Sequence, residues 1–129
     1  MSTLFYDTLL RNFSHKLGIP PLKPDKRGAC SLIIDEDIPL HIQQDIASQR
    51  VLLIALLGDV QDHLPQPLLE ANLTAIRDNK PLIAADPRAS QYYASHMLEQ
   101  SSLTADLLAL RVGELAEHIR FWRNASQVK

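Results

Sequence analysis

The chain has 129 residues, 46% of them hydrophobic and 22% charged, with a formal net charge of −2. That length suits one domain spanning residues 1–129 with a core of its own, and the composition argues against wholesale disorder. No dense basic run offers a phosphate backbone a concentrated positive field, which argues against nucleic acid as a partner.

Cys30 is the only cysteine, so an intramolecular disulfide and a thiolate-based structural zinc site are both excluded. Met1 to Asp7 lacks a basic leader followed by an apolar stretch. The longest apolar run, Val51 to Leu57, is far short of the ~20 residues a membrane-spanning helix needs. The expectation is a soluble cytoplasmic protein without membrane insertion.

Residues Leu4 to Leu17 read as an amphipathic helix. Phe5, Leu9 and Phe13 recur every four residues, and Tyr6, Leu10, Phe13 and Leu17 form an overlapping row. Gly18 ends it and Pro20-Pro21 prevents its resumption. The apolar side is wider than a single core stripe requires. A Pro, Lys, Asp and Gly loop runs from Pro20 to Gly28. Cys30, Leu32 and Ile34 then share one face of a short strand, and Ile38, Leu40 and Ile42 one face of the next. Asp35-Glu36-Asp37 forms the polar turn of this antiparallel hairpin. Pro39 cannot donate to a ladder, so its strand should lie at an edge or turn that position outward.

Val51 to Leu57 is apolar throughout and suits a strand covered on both faces. Asp62-His63-Leu64-Pro65 reads as the start of a helix running to about Asn79, with Leu69, Leu73 and Ile76 on one side. Pro81 opens an extended stretch ended by Asp86-Pro87. Gln91 to Leu98 alternates again. The last helix should start at Ser101 or Ser102, either able to cap it, and carries Leu108, Val112, Leu115, Ile119 and Trp122 as a core stripe. The order is helix, three strands, helix, two strands, helix: an α+β fold whose antiparallel sheet packs with helices.

Candidate chemistry is sparse. The five histidines, His15, His41, His63, His96 and His118, are spread through different elements and form no metalloprotease-type pair. They read as exposed or half-buried side chains. Asp35, Glu36 and Asp37 lack the alternate spacing, glycine and distal glutamate of a calcium loop, and read as a solvated turn. Glu114 and Glu117 are commonplace on an exposed helix face. Cys30 sits on an apolar strand face, where a thiol is poorly reactive. No Gly-x-Ser-x-Gly elbow or phosphate-cradling glycine cluster occurs. The expectation is no catalytic residue, no metal and no cofactor. What remains is the broad apolar side of the first helix and of the middle one, where Leu68 adds to Leu69, Leu73 and Ile76; on the residues alone two readings stand, plain core packing within the subunit or an exposed patch that marks an interface.

Several runs together resemble the class I type III secretion chaperones, the family that includes the Tir chaperone. They are Leu17-Gly18-Ile19-Pro20 with Leu22, Gly28-Ala29-Cys30-Ser31-Leu32-Ile33-Ile34-Asp35, Leu57-Gly58, and Leu68-Leu69-Glu70-Ala71-Asn72. Pro81 to Pro87 and Ala116 to Trp122 complete the set. The resemblance implies a bacterial cytoplasmic homodimer around which the N-terminal segment of a secreted effector wraps in extended form. It places effector contacts at Phe5, Leu9, Phe13, Leu17 and Ile33, and dimer contacts at Leu69, Leu73, Ile76 and Ile83. Strand addition to a sheet edge is the second expected mode of binding. Two other readings stay open on the residues alone: an enzyme whose acid and base meet only in the fold, and an adaptor for a folded partner.

Overall fold

A computed structural model describes residues 2–59 and 65–127. Helix α1 (Ser2–Leu17) leads into strands β1 (Ala29–Ile34), β2 (Ile38–Asp45) and β3 (Arg50–Asp59). Helix α2 (Pro65–Asp78), strands β4 (Leu82–Asp86) and β5 (Gln91–Glu99), a short 3-10 turn (Gln100–Ser102) and helix α3 (Ala105–Gln127) follow. The five strands form one antiparallel sheet in the order β1-β2-β3-β5-β4. The expected element order and class are therefore observed.

Helices α1 and α3 pack on each other and cover one face of the sheet. Tyr6, Leu9, Leu10 and Phe13 from α1 and Leu108, Val112, Leu115, Ile119 and Trp122 from α3 meet Leu40, Ile42, Leu53 and Ala94 from the strands. Tyr6 fastens α1 to the sheet, its hydroxyl lying 2.7 Å from the Gly28 carbonyl and 3.3 Å from that of Ile42. Gly18, at φ 69°, ends α1 by donating to the His15 carbonyl at 3.1 Å, a left-handed stop that glycine takes without strain. The buried Ser14 hydroxyl donates to the Leu10 carbonyl at 2.7 Å and accepts from the Leu22 amide at 3.0 Å, folding the proline loop back beneath the helix.

Of the two places expected for Pro39, the structure takes the second: β2 lies inside the sheet, Pro39 alternates to the face opposite the buried Ile38 and Leu40, and it sits one residue beyond the last β2–β3 pair, Leu40 and Ala55. Three local expectations change. Strand β3 is covered by helices on one face only, so Val51, Leu53, Ala55 and Leu57 are buried while Leu52, Ile54 and Leu56 stay half-exposed. Helix α3 starts after Thr104, whose Oγ1 accepts the Leu107 amide at 3.1 Å; Ser101 and Ser102 belong to the preceding 3-10 turn. His96 is not at the surface but 4% exposed, inside the junction of α2, β5 and α3. The expected start of the middle helix at Asp62-His63-Leu64 lies outside the described residues.

Candidate functional site: an unpartnered apolar surface and an open sheet edge

Helix α2 buries only Leu68 and Ala75, and its principal neighbour is strand β4. Its other side presents Leu69, Leu73 and Ile76, which are 68%, 71% and 67% exposed. The spacing of four and three residues puts all three on one stripe. A 14-residue helix is marginal in water without tertiary packing, so a stripe this bare marks a missing neighbour. Beside it lies the uncovered face of the sheet. Register places Leu52 opposite Met97, and Leu56 opposite Tyr93, with Leu82 and Ala84 beyond them. Ile83, expected among the dimer contacts, alternates to the helix-covered face and is buried in the core at 6% exposure. It supports α2 from within.

The effector residues expected from the resemblance divide into three groups. Leu9 and Phe13 are buried core residues, at 4% and 0% exposure. Phe13 is therefore corrected to a structural side chain. Leu9 forms the floor of a groove of about 500 Å³ between α1 and the start of α3, lined also by Leu4, Phe5, Leu103 and Ala105. Phe5 and Leu17 remain partly open on α1. Ile33 is exposed, but alternation from the buried Cys30 turns it to the opposite face of the sheet from α1. One flat patch does not contain all five. The α1 groove and Ile33 thus lie on opposite sides of the sheet.

Both β1 and β4 are edge strands, each capped at one residue. At β1, the Asp25 carboxylate accepts the Ala29 amide at 3.0 Å, and the Asp25 amide donates to the Ala29 carbonyl at 2.8 Å. The same carboxylate accepts the Arg27 amide at 2.8 Å, and these amide bonds, that of Ala29 foremost, hold its pKa below the ordinary value. Ala29 thus turns its polar groups away from β2, and by alternation Ser31 and Ile33 do the same along a strand that has no strand beyond it among the described residues. At β4, the corresponding groups of Ile83 are taken by Asn72: its Nδ2 donates to the Ile83 carbonyl at 2.9 Å and its Oδ1 accepts the Ile83 amide at 2.8 Å.

The chemistry these side chains offer is recognition. Ser31 and His41 hydrogen bond at 2.7 Å through Nδ1, on exposed strand positions. A serine hydrolase engages its nucleophile through the other ring nitrogen and uses Nδ1 for the orienting acid. The Cys30 thiol is buried, and burial pushes its pKa up. Among the described residues no group of three or more His, Cys, Asp or Glu side chains could hold a metal ion, and no helix is long and apolar enough to cross a membrane. Sequence reasoning missed Leu52, Ile54, Leu56, Tyr93 and Met97 as open surface. The signal was present in the unbroken apolar run of β3, whose second face stays half-exposed.

The fold has close counterparts among solved structures. A chain in the HopA1–SchA chaperone–effector complex superposes with a TM-score of 0.88 and 35% identity, over 96% of this chain and 97% of that one. A chain in the ExsC–ExsE complex gives 0.85 at 20% identity, covering 96% and 94%. One in the complex of the Yersinia pestis type III secretion chaperone SycH with a YscM2 fragment gives 0.77 at 19%, covering 90% and 98%. The latter two likenesses concern the fold alone. A search of curated proteins finds no match. The model of the Tir chaperone protein (CesT) family matches residues 8–123, nearly the whole chain, and the protein belongs to that family.

Proposed function

We propose that this protein is a type III secretion chaperone. It acts as a homodimer in the bacterial cytoplasm and holds the N-terminal segment of a secreted effector in extended form, soluble and competent for export. It is not an enzyme and uses no cofactor. The observation that carries the reading is apolar surface left uncovered in two separate places on one subunit. The α2 stripe with the adjoining open sheet face suits a second copy. The α1 groove with the open β1 edge suits a guest chain, whose backbone would extend the sheet while its side chains fill the groove. Family membership and the 35% identity to a chain of a chaperone–effector complex point the same way.

Binding needs no chemical step. Burying apolar area contributes about 25 cal/mol per Å², offset by the cost of ordering the guest. The test is co-expression with the N-terminal segments of proteins encoded beside its gene. A complex of two chaperone subunits with one extended, protease-protected segment is expected. Recovery of a folded partner domain instead would favour an adaptor. Leu73→Asp should turn the dimer into monomer or insoluble protein by light scattering, and a soluble variant dimer would remove α2 from the interface.

A further inference from the structure

The end of the sheet nearest the β1–β2 turn is secured by a side chain from the far end of the sequence. The β2–β3 ladder stops at Leu40 and Ala55 because the next residue on β2 is Pro39, which has no N–H to donate. By alternation that N–H would have served the Leu56 carbonyl. On the other side of β3, the register with β5 shifts between Leu56 and Gly58. Arg123 of α3 fills both gaps. Its Nη2 donates to the Leu56 carbonyl at 3.0 Å and its Nε to the Leu57 carbonyl at 2.9 Å. Its Nη1 donates to the Asp37 carbonyl at 3.0 Å, 3.5 Å from the Asp37 carboxylate. One turn earlier, Arg120 pairs with the Asp35 carboxylate.

One residue of the turn gripped in this way is held against its preference. Asp35 and Glu36 both take positive φ, 51° and 70°; aspartate tolerates that region, but a glutamate is uncommon there. Strand β1 packs chiefly on β2. Its last pairs, Ile33 with Pro39 and Ile34 with Ile38, stand directly beside this turn. The outward-facing half of the open edge therefore rests on a hairpin tip that the β2–β3 ladder does not support.

We infer that Arg123 is a positioning residue for strand capture: by gripping the Asp37, Leu56 and Leu57 carbonyls it holds Ile33 extended and ready to pair with an incoming chain. The inference rests on the reading of β1 as the capture edge. A guanidinium fork reaches three carbonyls at once, whereas a lysine ammonium presents one compact donor group.

The test uses the full-length chain, with Arg123→Ala and Arg123→Lys, and an end-blocked peptide of alternating valine and threonine as the probe. In the unaltered protein the peptide should slow amide exchange at Ser31 and Ile33. Both variants should keep their mass and cooperative melting. Exchange at Leu32 and Ile34 should quicken by about tenfold while Leu53 and Leu98 keep their protection, and peptide affinity should fall by about tenfold. Failure of lysine to rescue separates the fork from mere charge, and that variant carries the test if the alanine variant does not fold. Unchanged exchange at Ile34, or unchanged affinity, overturns the positioning role. If Ser31 and Ile33 in the unaltered protein ignore the peptide, the capture edge itself is wrong and the inference falls with it.

Discussion

The carboxamide of Asn72 meets both main-chain polar groups of Ile83, at 2.9 and 2.8 Å, as a neighbouring strand would. An unpaired edge strand is a template for unwanted pairing, and here a helix side chain occupies it. Asn72 thereby caps β4 at Ile83 as Asp25 caps β1 at Ala29, which leaves Ser31 and Ile33 as the outward-facing positions of β1.

Asn72→Ala should therefore have two effects. Losing two hydrogen bonds to partly buried backbone groups should cost about 1–3 kcal/mol, read as a lower melting temperature. The uncovered β4 edge should also promote concentration-dependent association beyond the native oligomer, measured by light scattering. A variant with unchanged melting and size would show that the carboxamide pairing contributes nothing.

Phe13 and Phe5 should separate stability from binding. Phe13 is fully buried, so Phe13→Ala should cost about 3–5 kcal/mol in chemical denaturation. Phe5 is 37% exposed on the groove, so Phe5→Asp should cost clearly less stability than Phe13→Ala while reducing recovery of a co-expressed effector segment. Equal losses of stability in the two variants would contradict the assigned burial.

Acid should loosen the α2–α3 side of the molecule. Burial holds the pKa of His96 below its ordinary 6.5, with Arg111 and Lys80 acting in the same direction and Glu114 and the Asn79 interaction against it. Burial likewise lowers that of His118. In both cases the unfolded chain binds protons more readily than the folded one. Their contribution is fully present above 6.5 and declines as pH falls from there towards the depressed folded values. Melting temperature should drop over that window, and His96→Gln with His118→Gln should flatten the slope. An unchanged slope in the double variant would clear both histidines.

Periodicity made most elements legible because burial follows it. The α3 stripe and the alternation of Tyr92, Ala94, His96 and Leu98 need only local spacing to be read. The division of α1 was not legible in that way. Phe5 lies about 80° around the helix from Phe13, far enough to leave the core, while Leu17 faces coreward but lies in the last turn, where it remains 39% exposed. Spacing identified a broad apolar side but not where the sheet would meet it. Ile83 was misplaced for a similar reason: the side of β4 it occupies depends on pairing with Ala94. Arg123 gave no local signal, since its acceptors Asp37, Leu56 and Leu57 lie 86, 67 and 66 residues away.

The scant anchorage of α2, with only Leu68 and Ala75 buried, couples folding to encounter. If its bare stripe is satisfied by a sister molecule, a newly made subunit completes its structure only after meeting one. Resistance to heat would then rise with how much protein is present, and dilution alone would act as a denaturant.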